Sequence, residues 1–373
     1  MSYSFELGPI RPPSEAFSIL VRVTRNCPWN KCAFCHTYKG QQFSRRPIED
    51  VIADIDAIYT IVQRILDVAG NSITLNTLQK AKGNDDTPLY YYEQVAFWLQ
   101  YEMKFVFLQD ANSLVLSAKD LCTILNHIML RFPTVERITS YARASTISKK
   151  SLEDLKSIRQ AGLTRLHIGM ESGSDPVLAL VNKGTTQQQL IDAGQKAVAA
   201  GFDVSYYYMP GLGGKEYMVE NAIQSAAVIN HVNPTFVRLR STVPIPGTPL
   251  NTMMEQCTWT PLSEVEKVKE IRLFIEHCNG ITSTLTSDHM MNLLEDVEGT
   301  FPHDKAAMLA TIDDFLSMPQ EDQEKFIIGR RIGMYRYLKD YYPNFKVDQL
   351  YYSIKHQYGT IDKAVMEILK NFI

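Results

Sequence analysis

Apolar residues along this chain switch between two spacings. Short, nearly continuous apolar runs over 18–24, 105–109, 137–141, 165–169, 203–209 and 236–243 predict β-strands. Between them, apolar residues recur every three to four positions over 48–69, 118–131, 148–161, 187–200 and 215–231, which predicts amphipathic helices. Pro47 stands just ahead of Ile48, Ser148 offers an N-cap, and Gly162 and Gly201 sit where glycine commonly ends a helix. Strands alternating with helices imply parallel pairing, and six such units predict an α/β chain built as a partial (β/α)6 TIM-like barrel. From Ile281 onward the strand signal fades. Segments 288–298, 304–316, 321–338 and 347–373 read as helices interrupted at Pro302, Pro319 and Pro343. Two regions are therefore expected: the barrel with its N-terminal extension over 1–280, and a helical C-terminal region over 281–373 packing on it. Residues 70–101 form an insertion without a clear pattern.

The residues of unusual type follow the strands. Segments 25–43, 109–113, 141–145, 170–173, 210–214 and 244–249 are rich in Gly, Pro and polar side chains. In parallel α/β barrels the active site is assembled from the loops at those strand ends.

Composition narrows the class. The 373 residues are 45% apolar and 21% charged, with 38 Lys and Arg against 41 Asp and Glu, a formal charge of −3. That is an ordinary globular balance, without the basic footprint of non-specific nucleic-acid binding. It favours a small-molecule substrate, although a local basic groove would reverse that preference. No apolar run reaches the roughly 18–20 residues of a membrane span. The start, Met1-Ser-Tyr-Ser-Phe-Glu-Leu, lacks the charged and apolar regions of a secretory leader, so a cytoplasmic protein is expected. Six cysteines are too few for a disulfide framework. Cys122, Cys257 and Cys278 are isolated and read as core thiols.

The other three fall together in Cys27-Pro-Trp-Asn-Lys-Cys32-Ala-Phe-Cys35-His36. Three thiols on so short a loop can converge on one inorganic centre. A Cys3His zinc site would require His36 to fold back beside its neighbour, and no second CxxC pair accompanies it. A 4Fe-4S cluster normally takes four cysteines, so a triplet leaves one iron open to an outside ligand.

The loop, with Phe34 before its last cysteine, resembles the cluster loop of the radical SAM superfamily, in a CX4CX2C variant of the usual CX3CX2C. The resemblance extends through Leu163-Thr-Arg-Leu-His-Ile-Gly169-Met-Glu171-Ser-Gly, Asn182-Lys183-Gly184, Tyr208-Met-Pro-Gly211-Leu-Gly-Gly and Val243-Pro-Ile-Pro-Gly247. It points to the subgroup of methylthiotransferases, oxygen-independent coproporphyrinogen oxidases and the Elongator catalytic subunit, over roughly residues 16–250. It implies that Cys27, Cys32 and Cys35 hold a 4Fe-4S cluster, whose open iron takes the amino and carboxylate groups of S-adenosylmethionine. One electron from a low-potential donor such as ferredoxin or flavodoxin then yields a 5′-deoxyadenosyl radical that abstracts hydrogen from a substrate.

Carried onto this chain, the resemblance puts Gln109, Asp110 and Asn112 near the methionyl ammonium, although the family's glycine pair is absent there. It puts Glu171 at the ribose hydroxyls, Lys183 at the cofactor carboxylate, and Phe34 near adenine. Arg143 is expected to meet cofactor or substrate. Strand alternation sets Tyr207 and Met209 on one face, the interior above the adenine, with Tyr207 a candidate catalytic residue and Met209 a cofactor contact. Gly211, Gly213 and Gly214 would let backbone approach a ligand closely. On the expected helix over 288–298, His289, Asn292 and Asp296 would share a face and reach substrate. Arg330, Arg331 and Arg336 read as ion-paired surface charge or as an anion site.

No second cysteine cluster, cobalamin domain or C-terminal RNA-binding barrel is evident. The leading expectation is a single-cluster radical SAM enzyme. An RNA- or tRNA-modifying version, a non-catalytic iron–sulfur electron carrier and a zinc-stabilised interaction module are the alternatives.

Overall fold

The computed structural model describes residues 2–70 and 72–369. They divide into two compact units, one of residues 2–30, 37–70, 72–168 and 196–204, the other of 31–36, 169–195 and 205–369.

The first unit opens with β1 (Ile19–Arg22), β2 (Thr24–Arg25) and β3 (Ser44–Arg45), the last two forming an antiparallel ribbon. Helix α1 (Ile48–Val68) starts after Pro47, carries Glu49 and Asp50 in its first turn, and buries Val51, Ile55, Ile58, Ile61, Val62 and Ile65 along one face. The unassigned insertion folds as α2 (Leu75–Lys82), begun by a Thr74–Thr77 capping box, and α3 (Leu89–Gln100), begun after Pro88. Next come β4 (Phe105–Gln109), α4 (Ala118–Arg131), β5 (Arg137–Ala142), the short α5 (Ala144–Ile147), α6 (Leu152–Gln160) and β6 (Leu163–Glu171). Strands β1, β4, β5 and β6 pair in that order, each pair parallel. Helix α6 is capped by Ser151, whose Oγ accepts the Asp154 N–H, and not by Ser148 as expected, because Ser148 terminates the separate turn α5. Gly162 and Gly201 have φ of +124° and +87° and end their helices as expected.

The second unit takes up the last residues of β6 and then α7 (Asp175–Leu180) and most of α8 (Gln187–Ala199). It continues with β7 (Asp203–Tyr208) from Ser205, then α9 (Met218–Val232), β8 (Phe236–Leu239), α10 (Pro249–Glu255) and α11 (Glu264–His277). There follow β9 (Thr284–Thr286), β10 (Gly299–Thr300), α12 (Lys305–Ser317), α13 (Gln320–Arg331), α14 (Phe345–Tyr358) and α15 (Ile361–Leu369). Strands β7, β8 and β9 pair in parallel and β10 closes antiparallel on β9.

All six expected strands form and pair in parallel within each unit, so the fold is the α/β class of the partial barrel, followed by helices. Several expectations change, among them the helix over 321–338, which ends at Arg331. Segment 288–298 is irregular, because its side chains are spent on backbone elsewhere. Asn292 accepts the Ser241 N–H at 2.9 Å and donates to Leu239 O at 2.9 Å, and Asp296 accepts the Leu338 N–H at 2.9 Å. The segment expected as one helix to Ile373 is two, broken at Gly359 with φ +77°, and residues 370–373 lie outside the described residues. Of the isolated cysteines, Cys278 is buried, Cys122 is half-buried, and Cys257 is exposed rather than in the core. No helix among the described residues is long and apolar enough to cross a membrane.

Candidate functional site

Cys32 and Cys35 belong to the second unit, where the loop 31–36 is held by backbone and by packing. The Ala33 N–H donates to Val181 O at 2.8 Å, and Ala33 O accepts the Leu250 N–H at 3.0 Å. Ala33 lies in an apolar cluster with Val177, Val181, Met209, Leu212, Leu250 and Trp259, and Phe34 packs against it. Lys183 stands with its Nζ 5.7 Å from the centre of the Phe34 ring and 2.9 Å from Glu171 Oε1. Both charged side chains are nearly buried, at 10% and 13% exposure. Glu171 has φ +65°, a left-handed turn at the end of β6, and its carbonyl accepts the Met209 N–H at 2.8 Å. Gly169 lies beneath the pair: a Cβ there would collide with the Glu171 carboxylate and the Lys183 ammonium. The second unit thus brings together Phe34, Glu171, Lys183 and Met209, four of the residues picked out in the sequence.

Gly211 begins the next loop with φ +84° and donates its N–H to Glu270 Oε2 at 2.8 Å. Glu270 also accepts from the Tyr208 hydroxyl at 2.7 Å and from Asn221 Nδ2 at 2.6 Å. Burial pushes this carboxyl up to about 7, against the pull of those donors and of Lys267. Sequence reasoning missed Glu270, because a single acid on an amphipathic helix carries no signal.

The tyrosine run obeys strand alternation. Tyr206 donates to Leu190 O at 2.6 Å and Tyr208 to Glu270, so Tyr207 projects from the opposite face of β7. Arg238 lies opposite Tyr207 in the register of β8. It too was missed, although a lone arginine inside an apolar strand is a legible signal. His289 is not on a helix. Burial, reinforced by nearby Arg240, lowers its imidazole to about 4, and its Nδ1 accepts the Met291 N–H at 3.3 Å. The arginines of the tail are ion-paired: Arg331 is buried against Glu264, and Arg330 and Arg336 both hold Glu295.

Cys27 belongs to the first unit, with Gln109, Asp110, Asn112 and Arg143. Its Sγ accepts the Asn30 N–H at 3.4 Å. Asn30 is fixed in turn by donating Nδ2 to Tyr38 O at 2.5 Å and to Gln41 O at 3.2 Å. The Gln109 amide is occupied by the N-terminal extension, accepting the Gly8 N–H at 2.8 Å and donating to Ile10 O at 2.6 Å. Asp110 takes three donors on Oδ2: Arg22 Nε at 3.0 Å, Arg22 Nη2 at 2.5 Å and the Asn26 N–H at 2.8 Å. Its Oδ1 is buried and makes no hydrogen bond among the described residues. Burial raises its pKa despite the Arg22 guanidinium. Asn112 does not cap a helix. It donates Nδ2 to Thr146 Oγ1 at 2.8 Å and accepts the Arg143 N–H at 3.3 Å, tying the loop after β4 to the loop after β5. The Arg143 guanidinium lies 5.1 Å from the Trp29 ring centre.

Among the described residues, no group of three or more His, Cys, Asp or Glu side chains is set to hold a single metal ion. A four-iron cluster makes a different demand, since each thiolate meets its own iron. The donor chemistry is of the kind such a group takes: Cys27, Cys32 and Cys35 form no disulfide, and a backbone N–H points at the Cys27 sulfur, a bond type that tunes such clusters.

Comparison with known proteins places these features in context. The family profile described as the radical SAM superfamily matches residues 21–225, more than half of the chain. Among curated proteins, the tRNA uridine(34) acetyltransferase of Methanocaldococcus infernus is 26% identical over 122 residues, covering 32% of this chain and 23% of that protein. The same enzyme of Methanocaldococcus jannaschii is 25% identical over 120 residues, covering 32% and 22%. The chain thus spans less than a quarter of the length of these relatives. Among solved structures, methylornithine synthase (PylB) is 14% identical, with coverage of 79% and 68% and a TM-score of 0.44. Coproporphyrinogen III oxidase (HemN) from Escherichia coli is 13% identical, with coverage of 91% and 80% and a TM-score of 0.41.

Proposed function

The chain belongs to the radical SAM superfamily, and from that premise we propose that it is a single-cluster enzyme cleaving S-adenosylmethionine reductively to start hydrogen abstraction from a substrate. Cys27, Cys32 and Cys35 would hold the 4Fe-4S cluster, and the cluster would supply the electron that breaks the S–C5′ bond. The protein's own part is to bind, orient and exclude water. Lys183 offers an ammonium to the cofactor carboxylate, and Glu171 offers acceptors to the ribose hydroxyls. Phe34 and Met209 offer apolar surface to the adenine, and Asp110 Oδ1 is an acceptor for the methionyl ammonium.

The observation that carries this reading is the Lys183–Glu171 pair, set against Phe34 of the cysteine loop. The base and the acid assigned to two parts of one cofactor are each other's ion-pair partner. The site is cytoplasmic in this reading, with a ferredoxin or flavodoxin as reductant.

The test is anaerobic reconstitution with iron and sulfide, then reduction with dithionite in the presence of S-adenosylmethionine. We expect iron and acid-labile sulfide to bind and 5′-deoxyadenosine to form. No nucleoside above that of a variant with Cys27, Cys32 and Cys35 all changed to Ala would overturn the proposal.

The overall charge favours a small-molecule substrate. A tRNA substrate is the second reading, favoured by the names of the curated relatives. Tight tRNA binding that falls steeply with added salt would select it over the first.

A further inference from the structure

Arg238 is a cation almost wholly inside the second unit, at 6% exposure, and it is the penultimate residue of β8. Its Nε donates to Ser205 Oγ at 3.2 Å, and its Nη1 donates to Thr286 Oγ1 at 3.3 Å and to Asp288 Oδ2 at 3.0 Å. These partners come from β7, from β9 and from the residue two beyond β9. They fix the guanidinium on the strand face that also bears Tyr207, with its carbon 5.4 Å from the Phe236 ring centre. Nη2 makes no hydrogen bond among the described residues, yet it is not among the polar atoms sealed from solvent without a partner. One edge of the fork is therefore anchored, and the other stays available.

Asp288 is a poor permanent partner. Its side chain is 41% exposed and reaches Arg238 with one oxygen. A carboxylate so well hydrated gains little from a single contact. A buried guanidinium, in contrast, needs an anion near it. Its planar geometry suits two parallel bonds, from Nη1 and Nη2, to one carboxylate or phosphate. The location fits a substrate group. In parallel α/β folds of this kind, ligands bind at the C-terminal ends of the strands. Met209, just beyond the end of β7, packs in the same apolar cluster as Ala33 of the cysteine loop. His289, beside Asp288 in the chain, makes no hydrogen bond through Nε2 among the described residues.

We propose that Arg238 receives an anionic group of the substrate, a carboxylate or a phosphate, and that Asp288 is the placeholder this group displaces. The word substrate rests on the radical SAM reading above; the anion site itself does not.

The experiment follows the thermal midpoint of the full chain against acetate and, separately, inorganic phosphate, at constant ionic strength balanced with chloride. It is run with and without reconstituted iron and sulfide, so that failure of the cluster leaves the anion response readable. We expect saturable stabilisation by at least one anion. A response to acetate alone assigns a carboxylate, and a response to phosphate alone assigns a phosphoryl group. In Asp288→Asn, where the competitor is gone, the half-saturating concentration should fall about two- to fivefold. In Arg238→Gln it should rise by about tenfold or more. Arg238→Lys keeps the charge without the fork and should fall between, which keeps the test usable if Arg238→Gln folds poorly. No saturable response to either anion, equal responses in wild type and both Arg238 variants, or weaker binding in Asp288→Asn would each overturn the proposal.

Discussion

Lys183 and Glu171 show how much one pair of side chains can decide. Each is nearly buried, and each is the other's counter-ion. In Glu171→Gln the ammonium loses its carboxylate, while a ligand carboxylate remains available to it. In the proposed role of Glu171, the ribose loses an ionised acceptor. Because a hydrogen bond to a charged group contributes roughly 1.5–3 kcal/mol, affinity for S-adenosylmethionine should fall about tenfold or more, read by equilibrium dialysis of the reconstituted protein. Gly169 makes a separate prediction. A methyl group there meets the Glu171 carboxylate and the Lys183 ammonium, so Gly169→Ala should cost about 1–3 kcal/mol in urea unfolding. In a Glu171→Ala background much of that cost should vanish, because the main obstacle is gone. These residues were legible in the sequence as single letters in a motif. Their mutual pairing was not, since twelve residues and a left-handed turn at Glu171 separate them.

Elements were legible where packing follows period. Helix α1 has its buried residues at three- and four-residue steps, and β1 and β4 are compact apolar runs. Segment 288–298 failed that rule for a local reason. Asn292 and Asp296 were read as one face of a helix, whereas their side chains serve the backbone of Leu239, Ser241 and Leu338. Glu270 gives the test at this scale, because it ties α11 to Asn221 of α9, to Tyr208 of β7 and to Gly211 of the following loop. Its folded pKa of about 7 stands above the ordinary 4.5. A group raised in this way adds stability that is fully present below pH 4.5 and is lost as pH rises through 7. Glu270→Gln has no such titration. Wild type should therefore lose stability relative to the variant between pH 4.5 and 7, by at most about 3 kcal/mol, and the two should run parallel above that window. Chemical denaturation at intervals across this range would check it, and a difference independent of pH would contradict the assignment.

At the scale of the molecule, the path of the chain sets how it comes apart. The backbone passes between the two compact units after Asn30, His36, Ile168, Gln195 and Val204, five crossings in all. Neither unit is a continuous stretch, and the loop 31–36 belongs to one unit while both its flanks belong to the other. Unfolding one unit alone would leave several of its loops closed at both ends by the other. It would then give up contacts while recovering only part of the chain entropy that normally drives unfolding. The sequence could not reveal this division, because periodicity reports which face of an element is buried and not which group of elements buries it. The consequence can be measured with tryptophans that report on each unit. Trp98 lies in the first unit and Trp259 in the second, and both are buried. With Trp29 and one of these two changed to Phe, the fluorescence of the other follows its own unit. We expect the two single-tryptophan proteins to show the same urea midpoint once corrected for the stability change of each substitution, and to coincide with the loss of helical circular dichroism. Two separated midpoints would mean that the units melt as independent domains despite their interleaved chain.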